Sequence, residues 1–298
     1  MPLDTTVEIN MKTATLITVH GMGRTEKNYA DEFFHEVGKR LGTHGKRLHY
    51  ETVYYQSLLQ PNEDRVWQQV GGRLRWDALR KFVLFGFADA AGLENGKEAS
   101  ASVYTLAQVE IARALYSALK STAQGPVVII AQSLGGQVVS NYFWDAGNFK
   151  ASANTPEKRP TCGFWKDPVS FSAAVGSAQA LDSSELDFLA GAKLRQLVTT
   201  GCNIPVFVAA HARQDILPFD RPNTDFAWHN YYDKDDVLGW PLAELSNEYG
   251  KLVHDHRVNA GGGIAGWLLH SWNPASHAEY WGDDEVLDPL VAHLRALL

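Results

Sequence analysis

Val127-Val-Ile-Ile-Ala-Gln-Ser-Leu-Gly-Gly136 decides the fold of this chain. Four consecutive β-branched residues, Val127 to Ile130, read as a strand buried on both faces, as parallel strands between helical layers are. Val138 to Trp144 reads as helix, so strand passes into helix through Ala131-x-Ser133-x-Gly135. A sharp turn at such a junction strains the serine backbone and lifts Oγ above the sheet edge. The positions two before and two after the serine must be small, because the strand and helix backbones nearly touch there. Ala131 and Gly135 meet that need, and Ser133 is the only serine with a glycine two residues on. Ser133 is therefore the candidate nucleophile.

Working outward, short apolar runs alternate with turns and helical stretches. Ala14 to Val19 reads as a buried strand ending at His20-Gly21-Met22-Gly23. Tyr29 to Leu41 follows as a helix with Phe33, Phe34, Val37 and Leu41 on one face, and Arg47 to Tyr55 as a second strand. Ala101 to Lys120 has the apolar spacing of an amphipathic helix, stopped by Gly125-Pro126. Beyond the serine, strands are expected at Val169 to Val175, Pro205 to Ala209, Phe226 to Tyr232 and Leu252 to Val258, and a last helix at Ala278 to Leu297. That alternation predicts an α/β fold: one domain over residues 1–298, with a mostly parallel central sheet flanked by helices. Residues 58–96 break the rhythm. Val66, Trp67, Val70, Leu74 and Leu79 suggest an amphipathic helix interrupted at Gly71-Gly72, before the apolar Lys81 to Phe87. This insertion reads either as a lid over a pocket or as a helix packed on the sheet.

The totals narrow the function classes. The chain has 298 residues, of which 45% are hydrophobic and 20% charged, as in a globular protein with a sizeable core. A net charge of −7 without a long basic run argues against a nucleic-acid partner. The longest apolar stretch, Phe82 to Ala88, falls far short of the ~20 residues an integral membrane segment needs. Residues 1–11 carry acidic and polar groups where a signal peptide needs a basic start and an apolar run. Cys162 and Cys202 lack metal-binding spacing and are expected as separate thiols. A cytoplasmic protein is the resulting expectation, with oligomeric state left open. No strand is followed by a G-x-G-x-x-G or G-x-x-x-x-G-K-[ST] loop, which excludes the usual nucleotide cradles.

The motif His20-Gly21-Met22-Gly23 after the first strand, the mid-chain Gln132-Ser133-Leu134-Gly135-Gly136, and late Asp and His residues resemble the α/β-hydrolase superfamily, within it the serine esterase and lipase branch. The likeness spans residues 14–298 and is specific for the superfamily rather than for a substrate. It implies an acyl-transfer enzyme whose oxyanion hole is made by backbone N–H groups. One donor would be Leu134, the residue after the nucleophile. The second would be Met22, with Gly21 as the alternative.

That resemblance also implies the chain order Ser, then Asp or Glu, then His. His20, His35, His44 and His49 precede the serine and are excluded as base. His277, in Asn273-Pro-Ala-Ser-His-Ala-Glu-Tyr-Trp281, stands shortly before the last helix and matches the family's histidine loop. His270 is the runner-up, and His293 falls within the helix. The acid is expected after the strand ending near Tyr232, in Asp233-Lys-Asp-Asp-Val237. Asp235 fits the family pattern best, with Val237 and Pro241 behind it; Asp236 and Asp233 are the alternatives. His254 and His256 share one face of a strand, a spacing that suits a metal in part but more simply a solvated face. The implied partner is a small-molecule acyl substrate, a carboxylic ester above all, with no metal or other cofactor. A thioesterase, an amidase, an acyltransferase or a catalytically silent binding module on this fold would carry much the same residues. Trp228, Trp240, Trp267, Trp272 and Trp281 flank the acid and base loops and suggest either an aromatic or acyl-chain pocket or structural packing.

Overall fold

The strand Val127–Gln132 lies inside a six-stranded sheet whose order is β2-β1-β3-β4-β5-β6, every neighbouring pair parallel. The structure is a computed structural model that describes residues 12–23, 25–70, 80, 84, 86, 88–89, 91–93, 96–99, 101–260 and 280–298. The strands are β1 (Ala14–Val19), β2 (Leu48–Val53), β3 (Val127–Gln132), β4 (Leu194–Thr200), β5 (Ala227–Asp233) and β6 (Val253–Val258). Helices α1 (Asp31–Leu41), α2 (Gln60–Val70), α3 (Val103–Thr122) and α4 (Leu134–Ala151) follow in chain order. Four short helices come next, α5 (Phe171–Val175), α6 (Ser183–Leu189), α7 (Ile204–Val208) and α8 (Asn247–Leu252), and α9 (Asp284–Leu297) closes the chain.

Two apolar layers sandwich the sheet, as its unbroken β-branched strands require. On one face Ile17, Val19, Val127, Ile129 and Ala131 pack with Ile111 and Leu115 of α3 and with Val138 and Tyr142 of α4. On the other, Leu16, Val128, Ile130 and Val198 pack with Phe33 and Val37 of α1 and Leu287, Leu290 and Leu294 of α9. This is an α/β architecture, a parallel sheet between two helical layers, and it is consistent with the α/β-hydrolase fold. The strand order reverses between β1 and β3, which pair in register from Thr15↔Val127 to Val19↔Ala131. At such a switch point the loops at the carboxyl ends of the strands diverge and leave a crevice where open α/β sheets bind ligands. The loop after β1 and the turn after β3 border it together.

Two expected strands are helical, and one strand was not expected. In Val169 to Val175 the Asp167 side chain accepts from Val169 N–H, Pro168 opens a 3₁₀ turn, and Gly176 at φ +75° ends α5. Pro205 sits in the first turn of α7, where its missing N–H costs nothing. The sixth strand is β4, Leu-Arg-Gln-Leu-Val-Thr-Thr, whose alternation is masked by polar residues that are buried in place. Thr199 Oγ1 donates to Asn230 at 2.8 Å and accepts from the Trp228 indole at 3.0 Å, both on β5. The last helix begins at Asp284, capped by Asp283, and not at residue 278. Gly71-Gly72 and most of Lys81 to Phe87 lie outside the described residues. No helix among the described residues is long and apolar enough to cross a membrane.

Candidate active site

Ser133 stands between β3 and α4 at φ +51°, ψ −121°, a backbone state an L-residue holds only under constraint from its surroundings. The constraint is visible. Ser133 N–H donates to Thr200 O of β4 at 2.8 Å, and Ser133 O accepts from Gly136 N–H at 3.0 Å. The side chain is fully buried, and its Oγ has no hydrogen-bond partner among the described residues. Buried hydroxyls are ordinarily paired, so an orphaned one marks a group kept for another purpose. The serine caps the N-terminus of the 18-residue helix α4, whose positive dipole end favours negative charge beside it.

Gly135 shows why the helix side of the turn must be bare. A Cβ there would lie 2.5 Å from His20 O and 2.8 Å from Val19 O, both backbone atoms that cannot swing aside. Gly135→Ala is expected to destabilise the fold by about 3 kcal/mol, the upper range for an overpacked site. Urea unfolding reads this directly, and a midpoint equal to the wild type's would contradict the contact. Gly136 faces the Cys202 sulfur, 2.6 Å from where its Cβ would sit. Cys202 is buried, its thiol pushed up to about 12 by desolvation, and it forms no disulfide with Cys162.

The loop after β1 presses on the nucleophile. A Cβ on Gly21 would come within 2.9 Å of Ser133 Cβ, so only glycine admits this approach. Leu134 is wholly buried at the start of α4, and Met22 is half-buried against the core. His20 belongs to the scaffold. Its Nε2 accepts from Tyr55 N–H at 3.1 Å, so Nδ1 carries the proton and donates to Gly21 O at 2.8 Å. The ring stacks on Tyr55 at 4.0 Å, and burial lowers its pKa to about 4, so the imidazole stays neutral and both nitrogens are occupied. Tyr55 in turn donates its hydroxyl to His20 O at 2.8 Å.

The three carboxylates after β5 differ sharply in setting. The Asp235 side chain is 73% exposed, 4.0 Å from Lys234 Nζ. Asp233 is buried, and its Oδ1 accepts from Asp235 N–H at 2.9 Å. Burial is the main cause of the raised pKa of Asp233. Asp236 is buried too: Oδ1 accepts from Leu238 N–H at 2.9 Å and Oδ2 from the Tyr280 hydroxyl at 2.9 Å. Tyr280 Oη itself accepts from Asp233 N–H at 2.8 Å. Next to it, Trp281 donates its indole N–H to Thr200 Oγ1, immediately beyond the Ser133 contact on β4. A Cβ on Gly239 would touch Asp236 Oδ2, Tyr280 Oη and Gly201 Cα at 2.6, 2.9 and 3.0 Å, so the acid loop closes tightly over the end of β4.

His277 and His270, like Trp267 and Trp272, lie outside the described residues. The described chain resumes at Tyr280, three positions after His277, in contact with Asp236. Trp228 is core, Trp281 is buried and Trp240 is 44% exposed. His254 is exposed, while His256 stacks on His229 and Tyr231 with a 2.8 Å His229 Nδ1–His256 Nε2 contact. Among the described residues no group of His, Cys, Asp and Glu is arranged to hold a metal ion.

No protein-family model matches the chain, and no curated protein matches its sequence. Among solved structures, an iodinated complex of acetyl xylan esterase aligns over 96% of this chain and 98% of that one, at 12% identity and a TM-score of 0.41.

Proposed function

We propose that this chain is a serine hydrolase that cleaves a carboxylic ester through an acyl-enzyme. The observation that carries the reading is Ser133: a buried hydroxyl, without a partner among the described residues, on a strained strand-to-helix turn at the switch point of a parallel sheet. Such strain is retained where it positions a reacting atom.

In this reading His277 removes the Ser133 proton as Oγ attacks the acyl carbon. Leu134 N–H and Met22 N–H, with Gly21 as the alternative to Met22, hold the oxygen that gains the negative charge. The imidazolium returns its proton to the departing alcohol, leaving Ser133 acylated. Water, deprotonated by His277, then attacks the ester carbonyl and releases the acid and free serine. Asp236 is the acid we favour over Asp235. It is buried, its two oxygens are aimed by Leu238 and Tyr280, and Tyr280 lies on the chain that leads back to His277. Asp235 would have to leave solvent to reach an imidazole. Residues 58–96 are proposed as a cap, on the contacts of Gly86 with Met22 and of Asp89 with Gly23.

A fluorophosphonate probe tests the class of enzyme. The wild type is expected to take one equivalent, mapped by mass spectrometry to the peptide bearing Ser133, and to release p-nitrophenol from short acyl esters. A protein that takes no label, or takes it at another residue, overturns the reading.

A further inference from the structure

The loop that would supply the second oxyanion donor is held from outside the sheet. Gly23 N–H donates to Asp89 Oδ2 at 2.7 Å, and Met22 Sδ lies 2.5 Å from where a Cβ on Gly86 would sit. Gly86 and Asp89 both belong to the segment between α2 and α3. Asp89 is completely buried and meets a second buried carboxyl, Glu63 of α2, in a side-chain hydrogen bond. Glu63 also accepts from Gln56 Nε2 at 3.3 Å. Among the described residues neither acid has a cationic partner.

Two buried carboxyls in contact oppose a second negative charge, and among the described residues no cation offsets it, so the pair favours holding one proton. Among the described residues no N–H or hydroxyl reaches Glu63 Oε1 or Asp89 Oδ1. Burial, then the contact with Asp89, pushes Glu63 up to about 9. Burial raises Asp89 as well, while Glu63, Gly23 N–H and Gln56 pull it back, so the proton rests on Glu63 and the charge on Asp89. The charge thus sits where Gly23 N–H meets it.

We propose that Asp89, aimed by a protonated Glu63, is a positioning residue for the ester hydrolysis. It fixes the backbone of Gly21 to Gly23 so that Met22 N–H faces the developing oxyanion, and it ties the α2–α3 segment to the nucleophile. The assignment rests on the acyl-transfer reading above. A basic group could not replace Asp89, because Gly23 offers a donor and needs an acceptor. Sharing one proton also limits the negative charge near the oxyanion to a single unit. Above pH about 9 the shared proton leaves Glu63, two like charges stand side by side, and the loop loses its anchor. Among the described residues the other ionisable groups that face the pair are Asp64 on α2, which opposes further negative charge, and the buried Tyr55 hydroxyl, which Asp89 helps keep protonated.

The test uses the full chain, p-nitrophenyl butyrate and the fluorophosphonate probe. Asp89→Leu, which fills the space but offers Gly23 N–H no acceptor, is expected to lower kcat roughly 10- to 100-fold, the scale of a displaced oxyanion donor, with little change in KM. Labelling should slow in proportion while still reaching one equivalent. Glu63→Gln keeps a hydrogen-bond donor toward Asp89 and removes the titrating proton, so the fall in kcat above pH about 9 is expected to flatten. A purely structural role would lower the unfolding temperature without moving that limb. A labelled wild type with an equally fast Asp89→Leu, or with an unchanged alkaline limb in Glu63→Gln should Asp89→Leu not fold, overturns this assignment alone. A wild type that takes no label overturns the ester-hydrolase reading and this assignment with it.

Discussion

Ser133→Ala is expected to lower kcat on p-nitrophenyl butyrate by roughly a million-fold, the loss seen when a triad nucleophile is removed. A residual rate above water should remain, because the oxyanion donors and the binding surface are untouched. The protein itself should not suffer. The substitution deletes a buried hydroxyl that has no partner among the described residues, and so removes a desolvation cost without breaking a contact. Alanine inherits the φ of +51°, however, and glycine does not resist it. Ser133→Gly should therefore unfold at a higher urea concentration than Ser133→Ala, by about 1 kcal/mol. Activity and stability move in opposite directions at this one position, which separates a lost nucleophile from a damaged fold. A Ser133→Ala protein that keeps wild-type turnover would sink the mechanism.

Asp236→Asn should cost about 10⁴-fold in kcat, because an amide supports the wrong imidazole tautomer and cannot stabilise the imidazolium. Asp235→Asn should stay within about three-fold, as exposed substitutions without buried contacts generally do. Steady-state kinetics on the two purified variants decide between them. Equal and small losses would remove both from the triad, and a large loss confined to Asp235→Asn would return the role to the exposed residue. Asp236→Asn also weakens the bond from Tyr280, so its unfolding midpoint belongs beside its kinetics. A modest stability loss with a four-decade fall in kcat is the pattern expected of a triad acid.

Ser133, Gly135 and the His20–Gly23 loop are legible in the sequence because each answers a local steric demand. A strand running into a helix with no room for side chains needs small residues at fixed offsets, and those offsets are short. The acid is not legible in the same way. Asp233, Asp235 and Asp236 have the same chemistry side by side, and what separates them is burial under Tyr280, which is remote in sequence. Strand β4 escapes for a related reason: Thr199 and Thr200 look like surface residues until Asn230, Trp228 and Trp281 supply their partners. Val169 to Val175 errs the other way, because Asp167-Pro168 before it and Gly176 after it enforce helical turns on a strand-like composition. Asp89 carries no local signature. Its role follows from a hydrogen bond to a glycine N–H on another element.

The pairing of β1 with β3 also bears on when the protein becomes reactive. The glycine loop ends the first strand made, and the serine turn lies far downstream, so neither half of the crevice exists until a long-range pairing closes. β4 must then dock, since Thr200 O receives the Ser133 N–H that holds the turn. A chain still emerging from the ribosome therefore carries an ordinary serine, no more nucleophilic than any other. In the proposed mechanism Ser133 becomes reactive only with the completed sheet, and covalent phosphonate capture is expected to report the last stages of folding.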